Sequence, residues 1–267
     1  MSETFSVNDE GNPSLNVSAC QMRSAYLDVD ANVSKINRKL DSLPPDIDAA
    51  IFPEYALTGF TDSEELYESA IPRESGKIEK IAEKVKATNT SALVNFVEKD
   101  YWGKEPDYYN TSIYMDPDGN RTFYRKRHLW KQEKDLLNPG DSRVVIETPP
   151  GKIGVMTCFD LNYVEESNAL TREEVVGLFV NGAWKHDYSE AWRLLLRARA
   201  IDGVRWVVAA GQIGGVRTED NGEYAGNSMV VKPTGEIAGS LDQEEKNLLA
   251  ELDLKSVKKA RELINIY

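Results

Sequence analysis

Apolar residues recur along this chain with two periods, and the periods alternate. LNVSACQM, starting at Leu15, has the two-residue alternation of a strand; ANVSKINRKLDSL then places Val33, Ile36 and Leu40 on one helical face and stops before Pro44-Pro45. DAAIFPE is a short apolar run of the length of a buried strand. GKIEKIAEKVKAT puts Ile78, Ile81 and Val85 on one helical face, and SALVNFVEK follows as the next strand. YNTSIYMDPDGNRTFYRKRHL predicts a hairpin about Asp116-Pro117-Asp118-Gly119, and NSMVVKPTGEIAGSL a second about Lys232-Pro233-Thr234-Gly235. Between them KIGVMTC leads into NYVEESNALT, VVGLFVNGAW leads into YSEAWRLLLRARAID, and RWVVAAGQI adds another apolar strand.

Alternating strands and helices with interspersed hairpins predict a layered α/β architecture, its sheets covered by helices. Residues 1–14, rich in Asn, Ser, Gly and Pro, predict a flexible N-terminal extension, and residues 15–267 a single domain with no internal linker or short-period repeat. A hydrophobic fraction of 41% and a charged fraction of 28% suit a buried core inside a charged surface. No apolar run approaches the ~18 to 20 residues of a membrane helix and no leader pattern opens the chain, so a cytoplasmic protein that does not engage membranes is expected. A net charge of -12 without a Lys/Arg-rich cluster argues against nucleic-acid binding. The two histidines and two cysteines form no zinc-ligand spacing, and neither a metal nor another cofactor is expected.

Three residues carry candidate chemistry. Cys158 directly follows KIGVMT and precedes a stretch read as loop and helix, where backbone N–H groups and a positive dipole end favour a thiolate; a small buried hydrophobe is the plainer reading. Glu54 leaves the end of DAAIF beside Phe52, Tyr55 and Phe60, whose apolar surroundings raise a carboxyl pKa toward that of a base; a solvated loop charge is the alternative. Lys126 falls in the second strand of the first hairpin, pointing away from the face of Arg125 and Arg127, and also reads as a charge guarding an exposed sheet edge.

These segments together resemble the nitrilase, or carbon-nitrogen hydrolase, superfamily. IFPEYALTGF is similar to its glutamate motif, YRKRHLW to its lysine motif and GKIGVMTCFDLNYVE to its cysteine motif, in that order. NPGD, RARAID and GNSMVVKPTGE match further landmarks, so the resemblance runs from about residue 15 to 254. It implies a four-layer α-β-β-α sandwich, commonly paired as homodimers or higher oligomers. It makes Glu54 the general base, Lys126 the cationic stabiliser and Cys158 the nucleophile, a Glu-Lys-Cys triad. Glu133 is implied to orient Lys126 or the substrate; an ordinary loop charge is its alternative reading. On that implication a thiolate attacks an amide carbonyl, Lys126 and the Phe159 backbone N–H hold the oxyanion, and a thioester forms on Cys158.

Relatives that act on nitriles usually carry Trp then Glu after the cysteine; Phe159 and Asp160 stand here and resemble the amidase branches. RWVVAAGQIGG with GNSMVVKPTGE is similar to the branch that includes omega-amidase, whose members cleave terminal carboxamides of small carboxylic acids. Hydrolysis of a small carboxamide is therefore expected, with an N-carbamoyl amine or a nitrile as alternative substrate and a catalytically idle scaffold as the alternative of another class. Phe60, Tyr163 and Trp184 are candidates to line the substrate cleft. Val164, Asn181 and Asn227 depart from the family pattern at positions expected around the pocket, and the chain stops at ELINIY without the family's longer C-terminal tail. A His-assisted thiol is the competing reading, but His128 is implied to be structural and His186 to lie at the surface or rim.

Overall fold

The protein is described here by a computed structural model, in which residues 14–101, 103–148, 151–216, 218 and 222–264 are described. Of the expected N-terminal extension, residues 1–13 lie outside the described residues, while Ser14 already opens the first strand. The first half runs β1 (Ser14–Cys20), α1 (Val29–Asp41), β2 (Ala49–Ile51), α2 (Leu66–Ser69), α3 (Gly76–Thr88), β3 (Ser91–Asp100), β4 (Asp107–Met115) and β5 (Arg121–Arg125). After the short α4 (Glu133–Leu136), the second half runs β6 (Val145–Thr148), β7 (Gly151–Thr157), α5 (Val164–Arg172), β8 (Gly177–Gly182), α6 (Ser189–Gly203) and β9 (Trp206–Gly211). It continues with β10 (Ile213–Gly215), β11 (Glu223–Ala225), β12 (Met229–Val231), β13 (Ile237–Ser240), β14 (Asn247–Asp253) and α7 (Leu254–Ile264).

Local chemistry sets these boundaries. The Asp28 carboxylate caps α1 by accepting from the Ala31 N–H at 3.0 Å, and Val33, Ile36 and Leu40 form its buried stripe. Ser75 caps α3, whose Ile78, Ile81 and Val85 are buried, and the helix ends where Asn89 turns left-handed. At the first hairpin the Gly119 N–H donates to the Asp116 carbonyl at 3.1 Å, and Gly119 supplies the required φ of 94°.

The strands form two six-stranded sheets, ordered β14-β1-β2-β3-β4-β5 and β13-β12-β9-β8-β7-β6. β1, β2 and β3 are parallel, as are β7, β8 and β9, and the remaining neighbours are antiparallel. The sheets face each other across a core in which Val17, Ile51 and Tyr124 from one meet Ile153, Val155, Phe179 and Val208 from the other. α1 and α3 cover the outer face of the first sheet through Ile36, Ile78 and Ile81. α5 and α6 cover the second through Leu170, Trp192 and Leu196. The result is the expected α-β-β-α sandwich, and each fully buried aliphatic or aromatic side chain contributes roughly 1.5–3 kcal/mol to holding its layers together. Among the described residues no helix is long and apolar enough to cross a membrane.

Candidate active site

The parallel strands deliver their carboxyl ends to one crevice, the usual place for a ligand in an α/β sheet. Glu54 follows β2, Cys158 follows β7, and Ala183 to Lys185 follow β8. Lys126 was expected inside a strand; β5 instead ends at Arg125. Its backbone nevertheless stays tied, the Lys126 N–H donating to the Asn110 carbonyl at 2.8 Å and the Lys126 carbonyl accepting from Gly140 at 2.8 Å. Arg125 turns away to Glu98 and Asp100, and Arg127 to Glu166, which leaves Lys126 facing inward, as strand alternation predicts.

Four groups from three chain segments meet there. The Lys126 ammonium donates to Glu54 Oε1 at 2.8 Å and to Glu133 Oε2 and Oε1 at 2.7 and 2.9 Å. All three side chains are buried. Asn110 Nδ2 donates to Glu54 Oε1 at 2.8 Å and to Glu133 Oε1 at 3.1 Å. The Tyr55 hydroxyl also donates to Glu133 Oε1, and the Trp130 N–H to Oε2 at 2.7 Å. Cys158 lines the same cleft, where Glu54 and the Ala183 backbone act on its thiol with opposite sign, Glu54 raising its pKa and Ala183 lowering it.

The electrostatics follow from this enclosure. Burial pushes the Glu54 carboxyl above its ordinary range, against the pull of Lys126 and with a further push from Glu133. Burial also raises the Cys158 thiol well above its usual value, helped by Glu54 and opposed by Lys126. For Lys126 burial works toward the neutral amine, but Glu133 and Glu54 outweigh it, and the ammonium is held well beyond its ordinary range. The enclosure thus favours the neutral thiol, makes the Glu54 carboxyl more basic than usual and keeps the Lys126 amine charged.

The cysteine sits on a strained corner. Cys158 has φ 48°, a left-handed conformation rare for a residue with a side chain, and Tyr55, next to Glu54, has φ 57°. The Asp160 carboxylate fastens the corner: Oδ2 accepts from the Thr157 N–H at 2.9 Å and from the Tyr124 hydroxyl at 2.6 Å, and Oδ1 accepts from the His128 N–H at 2.9 Å. The stretch read as loop and helix is a short 3-10 turn, Cys158–Asn162, followed by α5 from Val164.

A narrow cleft opens over Glu54, Lys126, Glu133 and Cys158, with Phe60 in its wall. Phe159 and Trp184 line an adjoining cavity that shares Cys158. Tyr163 lines neither: its ring stacks on His128 at 3.5 Å and meets Phe159 edge-on. His128 in turn bonds Glu166 through Nε2 at 2.9 Å, which makes it part of the frame. His186 lies exposed in a short 3-10 turn. The expectation that Val164, Asn181 and Asn227 surround the pocket is corrected. Val164 is exposed at the start of α5, and Asn227 passes its carbonyl to Trp192 Nε1 at 2.9 Å. Asn181 is buried between the sheets, donating to the Phe52 carbonyl at 2.5 Å and accepting from Ser112 Oγ at 2.7 Å.

Comparison with known proteins fits this geometry. The pattern of the family described as Carbon-nitrogen hydrolase matches residues 16–262. The chain belongs to the carbon-nitrogen hydrolase family. An omega-amidase of Xenopus tropicalis is 32% identical over 227 residues, covering 80% of this chain and 75% of the relative. An (R)-stereoselective amidase of a Pseudomonas species is 27% identical over 230 residues, covering 86% and 82%. The structure of Saccharomyces cerevisiae Nit3, a member of branch 10 of the nitrilase superfamily, superposes with a TM-score of 0.85 at 24% identity, covering 99% of this chain and 97% of that one. The structure brings the expected Glu54, Lys126, Glu133 and Cys158 together in one cleft of this carbon-nitrogen hydrolase, and adds Asn110, Trp130, Lys185 and Tyr224, which hold the carboxylates or line that cleft and which no sequence motif singled out.

Proposed function

We propose that this carbon-nitrogen hydrolase is an amidase acting on a primary carboxamide of a small carboxylic acid through a thioester on Cys158. The observation that carries the reading is the Lys126 ammonium held 2.8 Å from Glu54 in a cleft that Cys158 also lines. The amidases among its relatives support the choice of bond.

Glu54 takes the thiol proton as the sulfur attacks the carbonyl carbon. The oxygen gains the charge and accepts from the Lys126 ammonium and the Phe159 N–H, which in the first turn of the 3-10 segment lacks an intrahelical acceptor. Glu54 passes its proton to the leaving nitrogen, the carbon-nitrogen bond breaks, and ammonia departs. Water then gives a proton to Glu54 as it attacks the thioester. Collapse returns that proton to the sulfur, releasing the acid and the thiol. Lys126 remains protonated, because Glu133 and Glu54 hold it so.

The test is ammonia release from a panel of small carboxamides, N-carbamoyl amines and nitriles, with hydroxylamine added to intercept the acyl-enzyme as a hydroxamate. Turnover of carboxamides with hydroxamate formation is expected. Absence of ammonia from every carboxamide would sink the proposal, and turnover of carbamoyl compounds alone would replace the substrate class.

A further inference from the structure

Two cavities meet at Cys158, and they differ in chemistry. The first holds Glu54 and Lys126. The second has Trp130, Phe159, Trp184 and Tyr188 in its wall, shares Trp130, Ala183 and Lys185 with the first, and has no carboxylate among its lining residues. Trp130 and Tyr188 meet edge-on with ring centroids 6.2 Å apart. The ammonium groups of Lys131 and Lys185 lie 4.7 and 6.0 Å from the Trp130 ring centroid.

A tetrahedral intermediate on the sulfur carries three other substituents: an oxygen, a nitrogen and the carbon chain of the acid. The oxygen must reach Lys126 and the nitrogen must reach Glu54, and both groups belong to the first cavity. The carbon chain takes the remaining direction, into the second. We propose that this second cavity is the acyl subsite and that it selects amides whose acid portion carries an aromatic ring a short chain away from the carbonyl; the assignment rests on the amidase reading above. Four aromatic side chains offer flat apolar surface and ring edges, to which an aryl group binds through stacking and edge contacts. The lysines near Trp130 disfavour a cationic acyl group by like-charge repulsion. The first cavity, crowded by the carboxylates and Tyr224, suits a leaving group as small as ammonia.

Binding decides the matter independently of turnover. The Cys158→Ala protein is titrated with 3-phenylpropanamide, with propanamide and with the monoamide of a dicarboxylic acid of similar length, and the change in tryptophan fluorescence or heat is followed. Burying the ring is expected to tighten binding roughly ten- to a hundredfold over propanamide. Tyr188→Ala in the same background is expected to bring that ratio toward one. Equal affinities, tightest binding of the carboxylate-bearing amide, or a ratio that Tyr188→Ala leaves unchanged would overturn the subsite. Wild-type ammonia release is measured beside it. Its absence for all amides would count against the proposed reaction while the titration still judges the subsite, and hydrolysis of ring-free amides alone would overturn the subsite and leave the reaction standing.

Discussion

Asn110 Nδ2 lies 2.8 Å from Glu54 Oε1, the same oxygen that accepts from Lys126 at 2.8 Å. Asn110 thus holds the carboxylate assigned above as the base, and its backbone carbonyl holds the Lys126 N–H as well. Donation to a carboxylate favours the charged form, so Asn110→Ala should raise the Glu54 pKa further. We expect kcat/KM to fall roughly 10- to 100-fold, the range for losing a hydrogen bond to a charged group, and its acidic limb to move to higher pH. An unmoved pH profile would reduce Asn110 to a packing residue.

Glu133 acts on the same base with opposite sign. Its charge pushes the Glu54 carboxyl up, so Glu133→Gln should move the acidic limb to lower pH while weakening the hold on Lys126. The pH dependence of kcat/KM for this variant, set beside that of Asn110→Ala, separates the two effects by direction alone.

Lys126→Ala should lose at least about a hundredfold in kcat as the oxyanion loses its cation. It also leaves Glu54 and Glu133 buried without a counter-charge, a change that costs about 3–5 kcal/mol when a buried pair is broken. Urea unfolding and steady-state turnover of the same preparation distinguish the two losses, since only the folded fraction reports on chemistry.

The two thiols should behave differently toward iodoacetamide. Both thiols are pushed above their ordinary range, but Cys20 is fully buried whereas Cys158 opens on both cavities, so access separates them. Intact-mass analysis of native protein should find one adduct, at Cys158, formed faster as pH rises and in step with lost turnover. Equal labelling of Cys20 would contradict the packing around β1.

Asp48 offers a test of the fold away from the site. Burial pushes its carboxyl up to about 7 from an ordinary 3.8, although the Asn16 N–H donates to it at 2.7 Å. The folded chain thus keeps a proton that the unfolded chain releases, so this residue's contribution to stability is greatest below 3.8 and is lost as pH rises to about 7. Denaturation midpoints of Asp48→Asn should lack that decline across the same window.

Much of this was legible in the chain. The stripe of Ile78, Ile81 and Val85 placed α3 at Gly76–Thr88, and the Asp116 to Gly119 turn fixed the β4–β5 hairpin, because both signals are local. The three-residue strands β10 and β11 escaped, being too short for a period to register, β10 also carrying two glycines. Tyr163 was expected in the cleft, but a loop aromatic's direction is set by its partners, here His128 and Phe159. The inter-sheet role of Asn181, inside β8, was hidden because its partners Ser112 and Phe52 are distant in the chain. Asn110, Ser112 and Tyr114 share one face of a strand, and polar residues at alternate buried positions are a readable sign of a satisfied network.

Glu54 and Lys126 belong to one sheet's half of the molecule and Cys158 to the other's, with Asn181 and Ser112 bridging the layers beneath them. The site is therefore a seam: neither half alone holds the carboxylate, the ammonium and the thiol of the proposed reaction. A slip of about 1 Å between the layers would misalign sulfur and carboxylate enough to cost on the order of a hundredfold in rate. Turnover thereby becomes a sensitive gauge of how well the two layers are docked, failing before either loses its own strands.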